Sequence, residues 1–589
     1  MMNFLKLSLT SMSEPPFELS EKKKELLETP GCIVALGGPG AGKTTISLLK
    51  ARRIIEQGLK KGQKVLFLSF ARSTVDRVDQ QAKKIVKDVR ECLEINTYHG
   101  FAWTLLRSHG YLLNAKDLKL LPPPEAASRL ADINRDLRDV EKQKLFLTEG
   151  LVHFDLFARL SSELLARSKS LSALISDAYP YIILDEFQDT DTDEWKLIQE
   201  LGKGSVLIAL GDLDQRIYEF RGADPKRIGE FIKRFKPTEF DFGTENNRSN
   251  GTDIANFGND LLTGRNKAQN YRDVILKRYQ SRKGAYHLTL KTEVIGACRR
   301  LNERGGDWSI GIFVPSKNLM LAVSDYLSAS QRFAGNKSLP PVFHEVAMSM
   351  EGPSLAAVLI AQMLERAGSD LELQFSILKN LYEHIRGRNG DSVVSQANIK
   401  LAQSLRDYTF TGKISGSTRK EIVAETLRIA SLCQRLDFTG DPASDWIAVR
   451  KLLSSSQNEV VNQVALDAQF LRLLRKGTLL NSGLGTLWRD KGNYRGAVNL
   501  IRTALALEHF TATVSNLKGI HLMTMHKSKA KEFDEVIIYE GLHSGRIAIT
   551  DKGDNVLNQS RLALRVGVTR AIRRTTIITP SEKECPFLY

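Results

Sequence analysis

Ile33-Val34-Ala35-Leu36-Gly37-Gly38-Pro39-Gly40-Ala41-Gly42-Lys43-Thr44-Thr45 decides the fold. Its opening, from Cys32 to Leu36, reads as a short buried strand. The next residues fit GxxxxGK[ST], and Ile46-Ser47-Leu48-Leu49 then opens a helical pattern. Glycines let backbone N–H groups turn inward around phosphates, and the helix N-terminus adds partial positive charge. Lys43 can reach the terminal phosphates, and the Thr44 hydroxyl can ligate Mg²⁺. Gly37, Gly38, Pro39, Gly40, Ala41, Gly42, Lys43, Thr44 and Thr45 are therefore candidate nucleotide-binding residues.

A phosphate loop of this kind needs an acidic partner for the metal. Tyr181-Ile182-Ile183-Leu184 is an apolar strand that ends in Asp185-Glu186-Phe187-Gln188-Asp189. Sites in parallel sheets sit at the carboxyl ends of strands, which would turn both acids toward the loop. Asp185 is then the candidate Mg²⁺ ligand, and Glu186 the group that positions or deprotonates an attacking water.

The 589 residues are too many for one core, so several domains are expected. Hydrophobic residues make up 42% and no run of about 18 of them occurs, so no membrane span and no membrane partner is expected. The opening Met1 to Met12 lacks a basic leader and a small-residue cleavage site, so a secretory signal is not expected. Five scattered cysteines, with no CxxC pair, fit a reducing, cytoplasmic setting. The formal charge of +16 points to a polyanionic partner, although excess lysine also serves solubility.

Beyond these two motifs the chain resembles the UvrD/Rep-like superfamily 1 DNA helicases, collinearly from about residue 17 to 579. DEFQDT at 185–190 matches the family's acidic motif, and residues 210–223 match its GDxDQxIYxFRGA. Asn246-Asn247-Arg248-Ser249 resembles NYRS, residues 523–533 resemble MTxHxxKGLEF, and Val566-Gly567-Val568-Thr569-Arg570-Ala571 matches VxxTRA. The resemblance implies that Gln215 senses hydrolysis, that Arg248 and Arg570 bind phosphate, and that Glu532 contacts ribose. Arginine suits the task because its planar fork stays charged against the transferring phosphoryl group. A helix N-terminal acid is the other reading of Glu532.

The resemblance also implies a single-stranded DNA track of Phe70, His99, Tyr218, Phe220, Arg221 and His526. Aromatic stacking grips any base, because every base has a π-face. Core packing for Phe70 and Phe220, and a structural role for His99 and His526, are the alternatives. The implied fold is α/β, with two RecA-like P-loop domains of parallel sheet flanked by helices, each carrying a mainly helical insertion. The expected ranges are 1–108 and 176–240 for domain 1A, 109–175 for a short insertion 1B, 241–365 and 511–589 for domain 2A, and 366–510 for insertion 2B. The motifs end close to residue 589, so no appended nuclease is expected. Residues 487–507 resemble one tetratricopeptide repeat, but no second copy follows and a plain helical hairpin is expected. Glu21-Lys22-Lys23-Lys24 and Arg299-Arg300 read as solvated surface.

The resemblance implies an ATP hydrolase and DNA helicase that uses ATP and Mg²⁺ and moves 3′-to-5′ on single-stranded or tailed DNA, as in DNA repair. The alternative is a nucleotide-hydrolysing sensor or regulatory subunit that docks on a nuclease subunit, as in Gabija-type antiviral (phage) defence. One departure from the family concerns the base. The family handles adenine with an upstream glutamine, an arginine after GKT and the tyrosine of NYRS, where this chain has Lys23, Thr45 and Asn247. Weak discrimination among purines is the expectation.

Overall fold

A run such as Val65-Leu66-Phe67-Leu68 has no polar face, so it folds only where helices cover both sides of its sheet. The computed structural model describes residues 19–38, 40–70, 72–212, 226–243, 249, 251–280, 287–332, 338–346, 351–366, 368–388, 394–468, 479–510, 518–529, 531–550 and 553–589. Within them lie two six-stranded parallel sheets.

The first sheet holds β1 (Ile33–Leu36), β2 (Val65–Ser69), β3 (Leu93–Thr97), β4 (Tyr181–Leu184), β5 (Val206–Gly211) and β6 (Thr238–Asp241). Their order across the sheet is β3-β2-β4-β5-β1-β6. Alternate residues of β1 enter opposite cores. Ile33 and Ala35 meet Ile46, Leu48 and Ile54 of helix Lys43–Gly58, whereas Val34 shares a core with Leu68, Leu184 and Phe157. The phosphate loop leaves the carboxyl end of β1 directly beside β5, where Gly37 N–H donates to Gly211 O at 3.2 Å. Helix Thr192–Leu201 starts from a reciprocal cap in which Asp191 accepts from Glu194 N–H and Glu194 accepts from Asp191 N–H.

The second sheet holds β7 (Val274–Tyr279), β8 (Ser309–Val314), β9 (Glu345–Val346), β10 (Gly519–Thr524), β11 (Phe533–Tyr539) and β12 (Ala571–Pro580), in the order β9-β10-β8-β11-β12-β7. The α/β class with parallel sheets flanked by helices is thus as the sequence implied. Between β9 and β10 the chain builds a helical body around Ile360, Leu378, Ile422, Trp446, Val464, Leu484 and Ile501. Residues 487–507 fall on helices Leu479–Lys491 and Ala497–Phe510. The turn between them is anchored by Tyr494, whose hydroxyl donates to the buried Asp445 at 2.6 Å.

Three expectations differ from the structure. Helix Glu351–Glu365 sits wholly in the helical body, its Ala357, Ile360, Ala361 and Leu364 joining that core, so no boundary falls at residue 365. Helix Phe157–Arg167 belongs to the first α/β core, where Phe157, Leu160 and Leu164 pack with Leu66 and Leu184, so the first insertion ends well before 175. What remains is a small unit with its own core of Leu121, Ala126 and Leu145. It touches the helical body through Arg386, which donates to Ser128 O at 3.0 Å and to Asp132 at 2.7 Å. The charge runs are not uniformly solvated either. Lys23 is 2% exposed, and Arg300 bridges Glu293 and Glu535. Among the described residues no helix is long and apolar enough to cross a membrane.

Candidate nucleotide and DNA site

Positive backbone angles shape the phosphate loop. Gly40 and Gly42 have φ of 82° and 84°, a region where a Cβ is strained, and Gly42 caps helix Lys43–Gly58. Gly37 is crowded for a different reason, because an added Cβ would lie 3.2 Å from both Ala41 Cβ and Phe242 Cβ and would press on them. Lys43 Nζ donates to Gly37 O at 2.5 Å and Gly38 O at 3.1 Å, so the ammonium lies within the loop's own curve. Thr44 and Thr45 form the first turn of the helix. Pro39 lies outside the described residues.

The acids stand at the end of β4, as parallel-sheet geometry requires. Asp185 is buried, donates its N–H to Leu68 O at 2.8 Å and accepts from Ser69 Oγ at 3.2 Å. Burial, followed by the neighbouring Glu186 charge, pushes its carboxyl up to about 6 against the pull of Arg77 and Lys43. Glu186 has φ of 53°, a left-handed conformation uncommon outside glycine. Burial works to raise Glu186, but Lys529, Lys43 and Arg570 outweigh it and hold the carboxyl down at about 2. The surrounding cations thus favour the ionised form of Glu186, whereas burial favours the neutral form of Asp185 while no cation is bound. The oxygen donors Thr44, Ser69 and Asp185 are hard ligands of the kind Mg²⁺ takes, so the residues present fit that ion.

The second half supplies cations to this cleft. Arg570 follows helix Asp554–Val568, is 2% exposed, and donates from Nε to Val566 O at 3.1 Å. Its charge acts on Glu186 in the first half. Lys529, just past β10, is buried, forms an ion pair with Asp189 and lies 3.7 Å from Glu186 Oε2. Glu532 is bonded by Arg77 of helix Arg72–Ile85, again across the cleft. Arg565 Nη1 stands 4.0 Å from Asp212 at the end of β5. The motif readings missed Arg77, Lys529 and Arg565, whose partners are hundreds of residues away. A charged side chain in a long sequence carries no sign of so distant a partner.

The described DNA-track candidates lie at strand ends. Phe70 is half-buried after β2, its ring 5.9 Å from that of Tyr98. Tyr98 in turn reaches Asp185 O with its hydroxyl at 3.5 Å. His99 stacks on Phe154 at 4.2 Å, with Nδ1 3.6 Å from Glu194, so one face of its ring is occupied by protein. His526 is half-buried on the turn Met525–Ser528 after β10. Gln215, Tyr218, Phe220, Arg221, Asn247 and Arg248 lie outside the described residues.

Comparison with known proteins agrees with this geometry. Residues 19–146 and 136–236 match the family described as UvrD/REP helicase N-terminal domain. DNA helicase II of Rickettsia typhi is 21% identical to the chain, over 96% of the chain and 92% of that protein. The ATP-dependent DNA helicase PcrA of Staphylococcus aureus is also 21% identical, over 94% of the chain and 82% of that protein. By these matches the chain resembles the UvrD/Rep helicases. The phosphate loop and the acids of the first sheet meet cations of the second half through Lys529, Arg570 and the Arg77–Glu532 pair.

Proposed function

We propose that the chain is an ATP-hydrolysing DNA helicase or translocase that acts on single-stranded DNA with 3′-to-5′ polarity, in the cytoplasm. The observation that carries this reading is the meeting of Glu186, at the end of β4, with Lys43 from its own half and with Lys529 and Arg570 from the other. A carboxylate kept ionised beside a phosphate loop can orient a water and accept its proton. Lys43 and the loop N–H groups bind the phosphates, and Arg570 balances charge on the transferring phosphoryl group only while the two halves are together. Mg²⁺, when bound by Thr44 and Asp185, supplies charge neutralisation for the terminal phosphates. Hydrolysis thereby depends on closure, and closure moves the Phe70 and His99 region of one half against the His526 region of the other. Domains 1A and 2A of the family correspond in this reading to the two sheets, with Glu532 on the ribose side.

ATP hydrolysis by the purified chain, measured with and without single-stranded DNA, together with unwinding of a 3′-tailed duplex, tests the proposal. Stimulation by single strands and displacement of the duplex strand are expected. Hydrolysis that is indifferent to DNA and needs a nuclease subunit would replace the motor by a regulatory subunit.

A further inference from the structure

Gln188 joins two parts of the nucleotide site by hydrogen bonds. It sits on the turn Phe187–Asp189 and is 1% exposed. Its Nε2 donates to Glu186 Oε2 at 2.7 Å, and its Oε1 accepts from the backbone N–H of Asp212 at 3.1 Å. This arrangement admits one amide orientation, because reversal would set oxygen against carboxylate and N–H against N–H. There is little slack around it. A Cβ on Gly211 would lie 3.4 Å from Gln188 Oε1 and 3.1 Å from Ile228 Cδ1.

The two ends of this link differ in kind. At one end is the carboxylate that primes water, carried on a residue with φ of 53°, a conformation that needs support from its surroundings. At the other is the backbone N–H of Asp212, just past the end of β5. Gln188 thus ties Glu186 to Asp212 N–H through one part-buried and one buried hydrogen bond, of which water cannot cheaply replace the second.

We propose that Gln188 is a positioning residue that holds Glu186 in its working orientation by tying it to the backbone at the end of β5. The inference rests on the ATPase reading above. Gln188→Met keeps length and shape and removes both hydrogen bonds. Its expected effect is a KM for ATP within about threefold of wild type and a kcat with saturating single-stranded DNA lower by about 10²-fold, the scale of a misplaced catalytic group. Gln188→Glu is the second variant, read in the same way should the methionine variant melt early. It keeps an acceptor for Asp212 N–H and replaces the donor to Glu186 by a like charge. Unchanged kcat overturns the proposal, as does a KM for ATP that rises in step with the fall in kcat, which marks a structural role only. A wild-type chain without ATPase activity overturns both this inference and the function beneath it; an active wild type with unaltered variants overturns this inference alone.

Discussion

Lys43 and Arg570 act on one carboxylate from two halves of the molecule, so their removal should have separable effects. Lys43→Ala removes phosphate neutralisation and is expected to abolish both tight ATP binding and turnover. Glu186→Gln keeps the loop and should bind ATP while losing water activation. Arg570→Ala should also bind ATP and hydrolyse it about 10³-fold or more slowly, the scale of a lost arginine finger. Binding titration beside steady-state kinetics checks all three, and wild-type turnover in any of them contradicts the site. Lys23 yields a different prediction. The structure buries it, with Nζ 5.4 Å from the centroid of Phe242, the residue that packs against Gly37 of the phosphate loop. An ammonium only donates, so it can satisfy N7 of adenine or N7 and O6 of guanine, whereas a glutamine amide distinguishes the two. GTP and dATP should be hydrolysed with kcat/KM within about tenfold of ATP, or about 1.4 kcal/mol. A preference for ATP over GTP above about a hundredfold would show another side chain reading the base. Lys23 also shows where sequence reading fails at this scale. Its place in a run of charges suggested solvent, and only the fold reveals which lysine of the run turns inward.

Helix Arg72–Ile85 and the segment before β11 face each other across the cleft through Arg77 and Glu532. Both side chains are partly exposed, so the pair should contribute at most about 1 kcal/mol to folding. Its consequence lies in closure. Arg77→Glu and Glu532→Arg each set like charges across the cleft and should raise KM for ATP, with melting temperature nearly unchanged. The combined exchange should recover part of that loss, with a coupling energy of about 0.5–3 kcal/mol. Strictly additive effects would mean that the two residues act separately on nucleotide. At this scale the sequence was partly legible. The glycine spacing of 37–42 and the apolar runs of β1, β2 and β4 are local signals, and each became the element expected. Helix Glu351–Glu365 was not assignable in the same way. Its run from Ser354 to Leu364 is apolar nearly throughout, which announces burial but not in which core. The Arg77–Glu532 pair spans 455 residues of sequence and left no local trace.

The two halves meet through ions of unequal burial, and this sets how the whole molecule should answer to salt. Lys529 and Asp189 are almost fully buried, so added salt barely screens them, whereas Arg77 and Glu532 are open to it. Closure on nucleotide should therefore weaken only mildly as salt rises. DNA binding should behave otherwise, because a chain with formal charge +16 gains affinity by releasing counterions from phosphates. For single strands the logarithm of affinity falls by about 0.7 per contacted phosphate for each decade of salt. A track touching roughly four phosphates would lose about 50-fold between 50 and 200 mM salt. Stacking of the kind proposed for Phe70 would add grip without reading base edges, so homopolymeric and mixed single strands should bind within about threefold of one another. Fluorescence anisotropy at several salt concentrations, run beside the KM for ATP at the same concentrations, compares the two dependences directly. A steep slope for DNA and a shallow one for ATP is the expected pair. A shallow slope for DNA, or marked preference for one short sequence, would mean that the charge serves another partner and that the cleft works without a DNA track.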